Sequence, residues 1–201
     1  VLAFDCSTAR GSVAVVENGV TFFAEAFDSP RGRGGDLFPA LDRALRSVGS
    51  VDRVAVGIGP GSYNGLRTAI AAAEGLHIAT GAERVGLVSP RALDCAEREY
   101  FALGDARGGV LWVARIVDGE VAEDFELLPT PELLARLEAR PAVPRFSAAP
   151  PDGIPNVGLA APSAEGLARL AATGPAATRA IEPLYLKPAH ITQPRPRGNA
   201  R

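Results

Sequence analysis

Two short segments carry the residue types that could do chemistry. Asp5-Cys6-Ser7-Thr8 closes the apolar run Val1–Phe4. Its hydroxyls and turn amides could hold a phosphate, and Asp5 could hold a magnesium-bound water. The same four residues also make an Asx or Ser/Thr turn at a hairpin end, so the two readings stand side by side. The second segment is Gly59-Pro60-Gly61-Ser62-Tyr63-Asn64-Gly65. Its glycines let backbone amides approach an anion, and a helix opening at Ser62 adds roughly half a positive charge. The spacing GxGxxxG is one residue longer than the dinucleotide fingerprint, and no acidic residue ends a following strand where a ribose partner would lie. A plain NAD site is therefore disfavoured. The alternative is a sharp strand-to-helix turn with Ser62 as N-cap.

The rest of the chain withholds the usual engines. His77 and His190 are the two histidines, with no HExxH or HxxxH pair, so no metal site is expected. Cys6 and Cys95 lack CxxC spacing and read as free thiols of a reducing compartment. Lys187 is the sole lysine, which excludes a P-loop. No GxSxG elbow, carboxylate pair or Cys–His couple stands out. At 201 residues the chain has room for one large domain or two small ones, with a core needing neither disulfide nor metal. The net charge of −2 gives no global field for nucleic acid. No apolar run approaches the ~20 residues of a membrane span, and no signal-peptide pattern opens the sequence, so a cytoplasmic protein is expected.

The elements that must position these segments follow from periodicity. Val1–Phe4, Ser12–Val16 and Val20–Phe27, with Asn18-Gly19 between the last two, predict an antiparallel meander. Leu37, Leu41, Ala44, Leu45 and Val48 lie at helical spacing behind Asp36, the expected N-cap. Arg53–Ile58 predicts a buried strand, Ser62–Thr80 a long helix closed by Gly81, and Arg84–Val88 another strand. Pro90 is expected to open a helix through Tyr100. A second unit then starts with strands Phe101–Ala106, Val110–Val117 and Val121–Leu128, the last two joined by Asp118-Gly119. Helices are expected from Pro131 to Ala139 and from Ser163 to Ala172, with a short extended piece at Ile181–Leu186. Pro-rich loops around short strands fill 141–162, and the 29–35 linker is Gly/Arg-rich. The layout is α/β. The Ser62–Thr80 helix carries Ala69, Ala71, Ala72, Ala73, Gly75 and Ala79, which permit close helix–helix approach. Such a helix is buried either inside the fold or against a partner.

Four segments, in order, resemble the bacterial TsaB (YeaZ) family. Leu2–Thr8 is similar to its opening "LAIDTS", and Gly57–Gly75 (GIGPGSYNGLRTAIAAAEG) to its most specific signature. Gly104–Trp112 resembles its "DARxGEVYWA" segment, and Glu182–Leu186 its closing "EPxYLR". Asn64 and Thr68 depart from the family's usual Thr and Ile, and Gly34-Gly35-Asp36 replaces its His-Ser-Glu. The resemblance implies an ASKHA-type fold (actin, Hsp70 and sugar-kinase-like) of two related subdomains, each a mixed sheet flanked by helices. These are expected over 1–100 and 101–189, followed by a basic tail at 190–201. It also implies a noncatalytic subunit for threonylcarbamoylation of adenosine 37 in tRNAs reading ANN codons. Such a subunit pairs with the TsaD-like catalytic paralogue, is joined by a TsaE-like ATPase, forms a homodimer when alone, and meets tRNA through the complex. The missing histidine pair separates it from that metal-bearing paralogue. No cofactor of its own is expected, but ATP or ADP at the interface with partner subunits is, with Asp5, Ser7, Thr8, Gly59, Gly61 and Ser62 as candidate phosphate contacts. Ser62, Tyr63, Leu66, Arg67, Ile70, Ala73, Glu74 and His77 are the expected pairing residues. The alternative is a self-sufficient ASKHA-fold kinase, with Asp105 opposing Asp5 across a cleft, or an M22-like peptidase.

Overall fold

A computed structural model describes residues 1–29 and 36–187. The meander forms as its turns dictate. β1 (Leu2–Asp5), β2 (Arg10–Glu17) and β3 (Val20–Asp28) pair antiparallel. Asn18 and Gly19 take φ of 50° and 80°, the left-handed pair that a two-residue hairpin turn requires. β4 (Arg53–Gly57) then pairs parallel with β1, and β5 (Glu83–Leu87) parallel with β4. The sheet order is β3-β2-β1-β4-β5.

α1 (Leu37–Arg46) and α2 (Tyr63–Thr80) cover one face of this sheet. Leu2, Phe4, Val13, Leu37, Ala69 and Ala73 meet there without solvent exposure beyond 1%. Ser62 caps α2 by accepting from Gly65 N, and Gly81 closes it with φ of 76°. Asp36 stands at the N-cap of α1, but its side chain makes no capping hydrogen bond.

The same connectivity recurs in the second half. β6 (Glu99–Asp105), β7 (Val110–Val117) and β8 (Glu120–Pro129) form a meander. β9 (Arg145–Ser147) and β10 (Val157–Leu159) add in parallel, giving the order β10-β9-β6-β7-β8. α3 (Thr130–Glu138) covers one face, with Leu133 and Leu137 against Phe101, Leu103 and Val113. Its outer side is tied to β8 by Glu123, which pairs with Arg115, Arg136 and Arg140. Two mixed sheets of identical strand order, the first flanked by helices on both faces and the second covered by α3, have the layout expected of an ASKHA-type fold.

Two expectations change. The helix from Pro90 to Tyr100 does not form. A single 3-10 turn, Ser89–Ala92, is followed by a bridge between Leu93 and Pro162, and β6 already starts at Glu99. Tyr100 is needed in the sheet: it pairs with Ile116 and buries its ring, its hydroxyl donating to Pro90 O at 2.8 Å. Second, α4 (Ala164–Ala171) does not stay with the second sheet. Its Ala164, Leu167, Ala168 and Ala171 pack on Ala3, Ala14, Val16, Ala55 and Val85 of the first. That face is otherwise bare, because α1 and α2 both lie on the opposite one.

Beyond α4 the chain runs back along the first sheet as an irregular strap. Arg53 donates to Ala171 O and Gly174 O, and Ala177 N donates to Arg84 O. Ile181 N donates to Glu74 Oε1, and Leu184 N to Ile58 O. The expected extended piece at 181–186 is thus present as a tethered segment rather than a strand. No described helix is long and apolar enough to cross a membrane. The basic tail lies outside the described residues, as does 30–35 of the linker.

Candidate functional site

The two segments singled out from sequence lie against each other. Asp5 ends β1 and is fully buried. Its Oδ1 accepts from Ser7 N at 2.7 Å and Ser7 Oγ at 2.6 Å, which is the Asx turn. Its Oδ2 has no hydrogen-bond partner among the described residues. A Cβ on Gly57 would lie 1.7 Å from that oxygen, so the carboxyl fits only because Gly57 has no side chain. Gly61 plays the same part for the backbone: its Cβ would lie 2.1 Å from Ser7 O. Ser62 N donates to Ser7 O at 2.7 Å, and Gly59 N to Ser89 Oγ at 3.0 Å. Thr8 Oγ1 donates to Arg10 O.

The geometry is a clamp. The loop after β1 and the loop before α2 are stapled backbone to backbone, with Asp5 sealed beneath. The six candidate phosphate contacts lie on the two stapled loops, and five of their donors are committed within the chain. The amides of Ser7, Gly59 and Ser62 and the hydroxyls of Ser7 and Thr8 each have an internal acceptor. Asp105 is exposed, accepts from Arg107 N at 2.6 Å, and faces no open Asp5. Gly57, the first residue of the GIGPGSYNGLR signature, and Ser89 complete the clamp; for Ser89 the sequence offers no more than a Ser-Pro step.

Burial pushes the Asp5 carboxyl above its ordinary range, against the hydrogen bonds from Ser7 and the nearness of Ser89. The unfolded carboxyl ionises near ~3.9. Stability from the neutral form is therefore complete below that pH and is lost as pH rises through the higher folded value. Asp5→Asn keeps an oxygen for Ser7 and removes the titration. It is expected to raise Tm at pH 7 by about 2–4 °C and to leave it unchanged at pH 3, by thermal denaturation at both.

The second candidate feature is α2, and here the structure corrects the sequence. Leu66 and Ala73 are fully buried in the chain's own core and Ile70 is 8% exposed, so these three cannot reach a partner. Glu74 pairs with Arg84 and holds Ile181 N, and His77 Nδ1 donates to Ala82 O at 2.8 Å. The sheet claims this side of the helix because it bears the larger apolar residues. The solvent side is Asn64, Arg67, Ala71, Gly75, Ile78 and Ala79. Of the expected pairing residues, Ser62 caps the helix, and Tyr63 and Arg67 stand at the exposed end. Between this side and α1 lies a groove of about 450 Å³ lined by Phe38, Leu41, Leu45, Ala71, Ala72 and Gly75. A Cβ on Gly75 would meet nothing within 4 Å. Phe38 is 57% exposed and Ile78 81%, an unusual display for such side chains.

At the N-terminal end of α2 the strap joins this surface. Tyr185 stacks on Tyr63 with centroids 5.3 Å apart. The Arg67 guanidinium lies 4.2 Å from the Tyr63 ring centre, and its Nε donates to the Tyr185 hydroxyl at 3.1 Å.

The model of the TsaD family, "tRNA N6-adenosine threonylcarbamoyltransferase", matches residues 36–115. That stretch spans α1, β4, α2 and the start of the second sheet. No curated protein matches the chain. Among solved structures, one is a Pseudomonas aeruginosa protein described as uncharacterized "with similarity to peptidase YEAZ". It aligns at a TM-score of 0.76 and 25% identity over 92% of this chain and 98% of that one. YeaZ from Pseudomonas aeruginosa aligns at 0.72 and 24% identity with the same two coverages, 92% and 98%. Whole-length likeness in fold, the doubled sheet order and the GIGPGSYNGLR clamp agree in making the chain similar to YeaZ (TsaB) proteins.

Proposed function

We propose that this chain is a noncatalytic partner subunit for threonylcarbamoylation of adenosine 37 in tRNAs reading ANN codons. It docks the transferase-type paralogue through α1 and α2, and the pair recruits a TsaE-like ATPase. Alone, it pairs with a second copy through the same face. It acts in the cytoplasm and meets tRNA through the complex.

One observation carries the reading: the groups able to do chemistry are buried, and the groups able to bind a helix are bare. Asp5 is sealed under Gly57 while Phe38, Ala71, Gly75 and Ile78 face solvent along a groove. Small residues on a helix let a second helix approach closely, and packing area then supplies the affinity. The match to the transferase family covers both helices of that face, which supports a paralogue built on the same pair. A nucleotide used by the assembly is held at the interface with partner subunits, since most of this chain's loop donors already have internal acceptors.

The test is reconstitution of tRNA modification from the transferase-type subunit, the ATPase and the threonylcarbamoyl-adenylate supplier. Omitting this chain is expected to abolish modified adenosine in a nucleoside digest, and adding it back to restore it. Modification at full rate without it would reject the reading. So would kinase or peptidase turnover by the isolated chain.

A further inference from the structure

Arg67 is a cation at the rim of the α2 face, and its described contacts are to tyrosines rather than carboxylates. The Tyr63 ring and the Tyr185 hydroxyl hold its guanidinium from two directions. This removes much of the rotamer freedom a surface arginine would lose on binding. Across the groove, Asp42 on α1 is exposed and, among the described residues, is paired with its own Arg46, an i,i+4 pair worth about 0.3–0.5 kcal/mol. The face therefore presents a preset cation on one helix and an available anion on the other.

A two-fold pair makes such a surface self-complementary, because residue i meets j and j meets i. In such a pair the closest approach of the two α2 helices would fall at Gly75, which is exposed, bears no side chain and has open space around it. Arg67 lies eight residues before it, about 12 Å along the axis. At the common crossing of about 50°, this carries Arg67 about 9 Å sideways, one interaxial spacing. A displacement of that size takes Arg67 off the partner's α2 toward the groove that Asp42 lines.

Resting on the pairing-face reading above, we propose that in a two-fold pair of this chain Arg67 of each copy binds Asp42 of the other. The strap, through Tyr185, presets the arginine. Two equivalent ion pairs then fix the register of an interface whose small side chains would otherwise permit sliding.

The experiment is sedimentation velocity of the full chain over a concentration series. Arg67→Glu and Asp42→Arg are each expected to weaken self-association at least tenfold, since each sets like charges opposite one another. The double variant restores the pair with reversed polarity, within threefold of the wild type. Both positions are exposed, and circular dichroism checks that the variants fold. Unchanged association of the single variants would overturn the proposal, as would a double variant no better than either. A wild-type chain that stays monomeric to millimolar concentration would overturn it too. Ala72→Arg separates the two levels of inference. If it dissociates the pair while the charge variants do not, only the ion pair fails. If it also has no effect, the pairing face itself fails.

Discussion

Gly61→Ala is expected to cost about 3–5 kcal/mol of folding stability, or roughly 10 °C in Tm. The new Cβ would sit 2.1 Å from Ser7 O and 2.8 Å from Ser7 C. Both are backbone atoms of a turn pinned by Asp5, so no side chain can swing away to make room. Either the two loops separate, losing the 2.7 Å bond from Ser62 N, or β1 shifts against β4 in the centre of the first sheet. Denaturant or thermal unfolding of the purified variant reads the loss. Gly75→Ala is the control. Its Cβ meets nothing within 4 Å in the isolated chain, and Ala is the better helix former by about 1 kcal/mol, so that variant is expected to gain stability. Equal losses for the two would mean that the clamp contributes nothing beyond ordinary glycine effects.

The clamp also bears on the reading as a kinase. A carboxylate that orients a metal-bound water must face the space where substrate sits. Asp5 instead faces Gly57 and the Ser89 hydroxyl and has no exposed surface. The loop after β1 is thus built as a structural joint to the loop before α2.

Much of the fold was legible because its signals are local. Asn18-Gly19 and Asp118-Gly119 fix two-residue turns through left-handed backbone, and Ser62 and Gly81 bound a helix, so both meanders and α2 could be placed from residue types alone. The misreadings come from non-local choices. Residues 90–100 have a proline start and helix-compatible composition, but pairing with β7 and burial of Tyr100 outweigh local preference. The destination of α4 depends on a bare sheet face 150 residues earlier, which no local pattern encodes. Leu66, Ile70 and Ala73 are expected at the pairing face, beside the exposed Tyr63 and Arg67, because alanines occur all round α2. With little contrast between faces, only the sheet decides which side is buried. The strap was harder still: its residues follow neither helical nor strand periodicity, and its position is set by bonds to Arg84, Glu74 and Ile58.

That direction of α2 determines how the pairing face should be broken. Ala72→Arg is expected to weaken pairing at least a hundredfold, with the second copy and with the transferase-type subunit alike. Ala72 lines the groove between α1 and α2, where a partner helix would enter. An arginine there fills the slot and brings a charge that the contact would have to strip of water without a partner, a penalty of several kcal/mol. Ala72 also touches the core, so Ala71→Arg provides the second variant: Ala71 is exposed on the outer stripe and its replacement cannot disturb packing beneath the sheet. Leu66→Ala makes the opposite case. It is expected to lower Tm through a cavity under α2, yet to leave the affinity of the folded fraction within a few fold. Sedimentation for the homodimer and calorimetric titration with the paralogue read all three. If Leu66→Ala abolished pairing in a folded protein while Ala71→Arg and Ala72→Arg did not, the binding side of α2 would have to be the one the sheet now covers, and the helix would have to turn on docking.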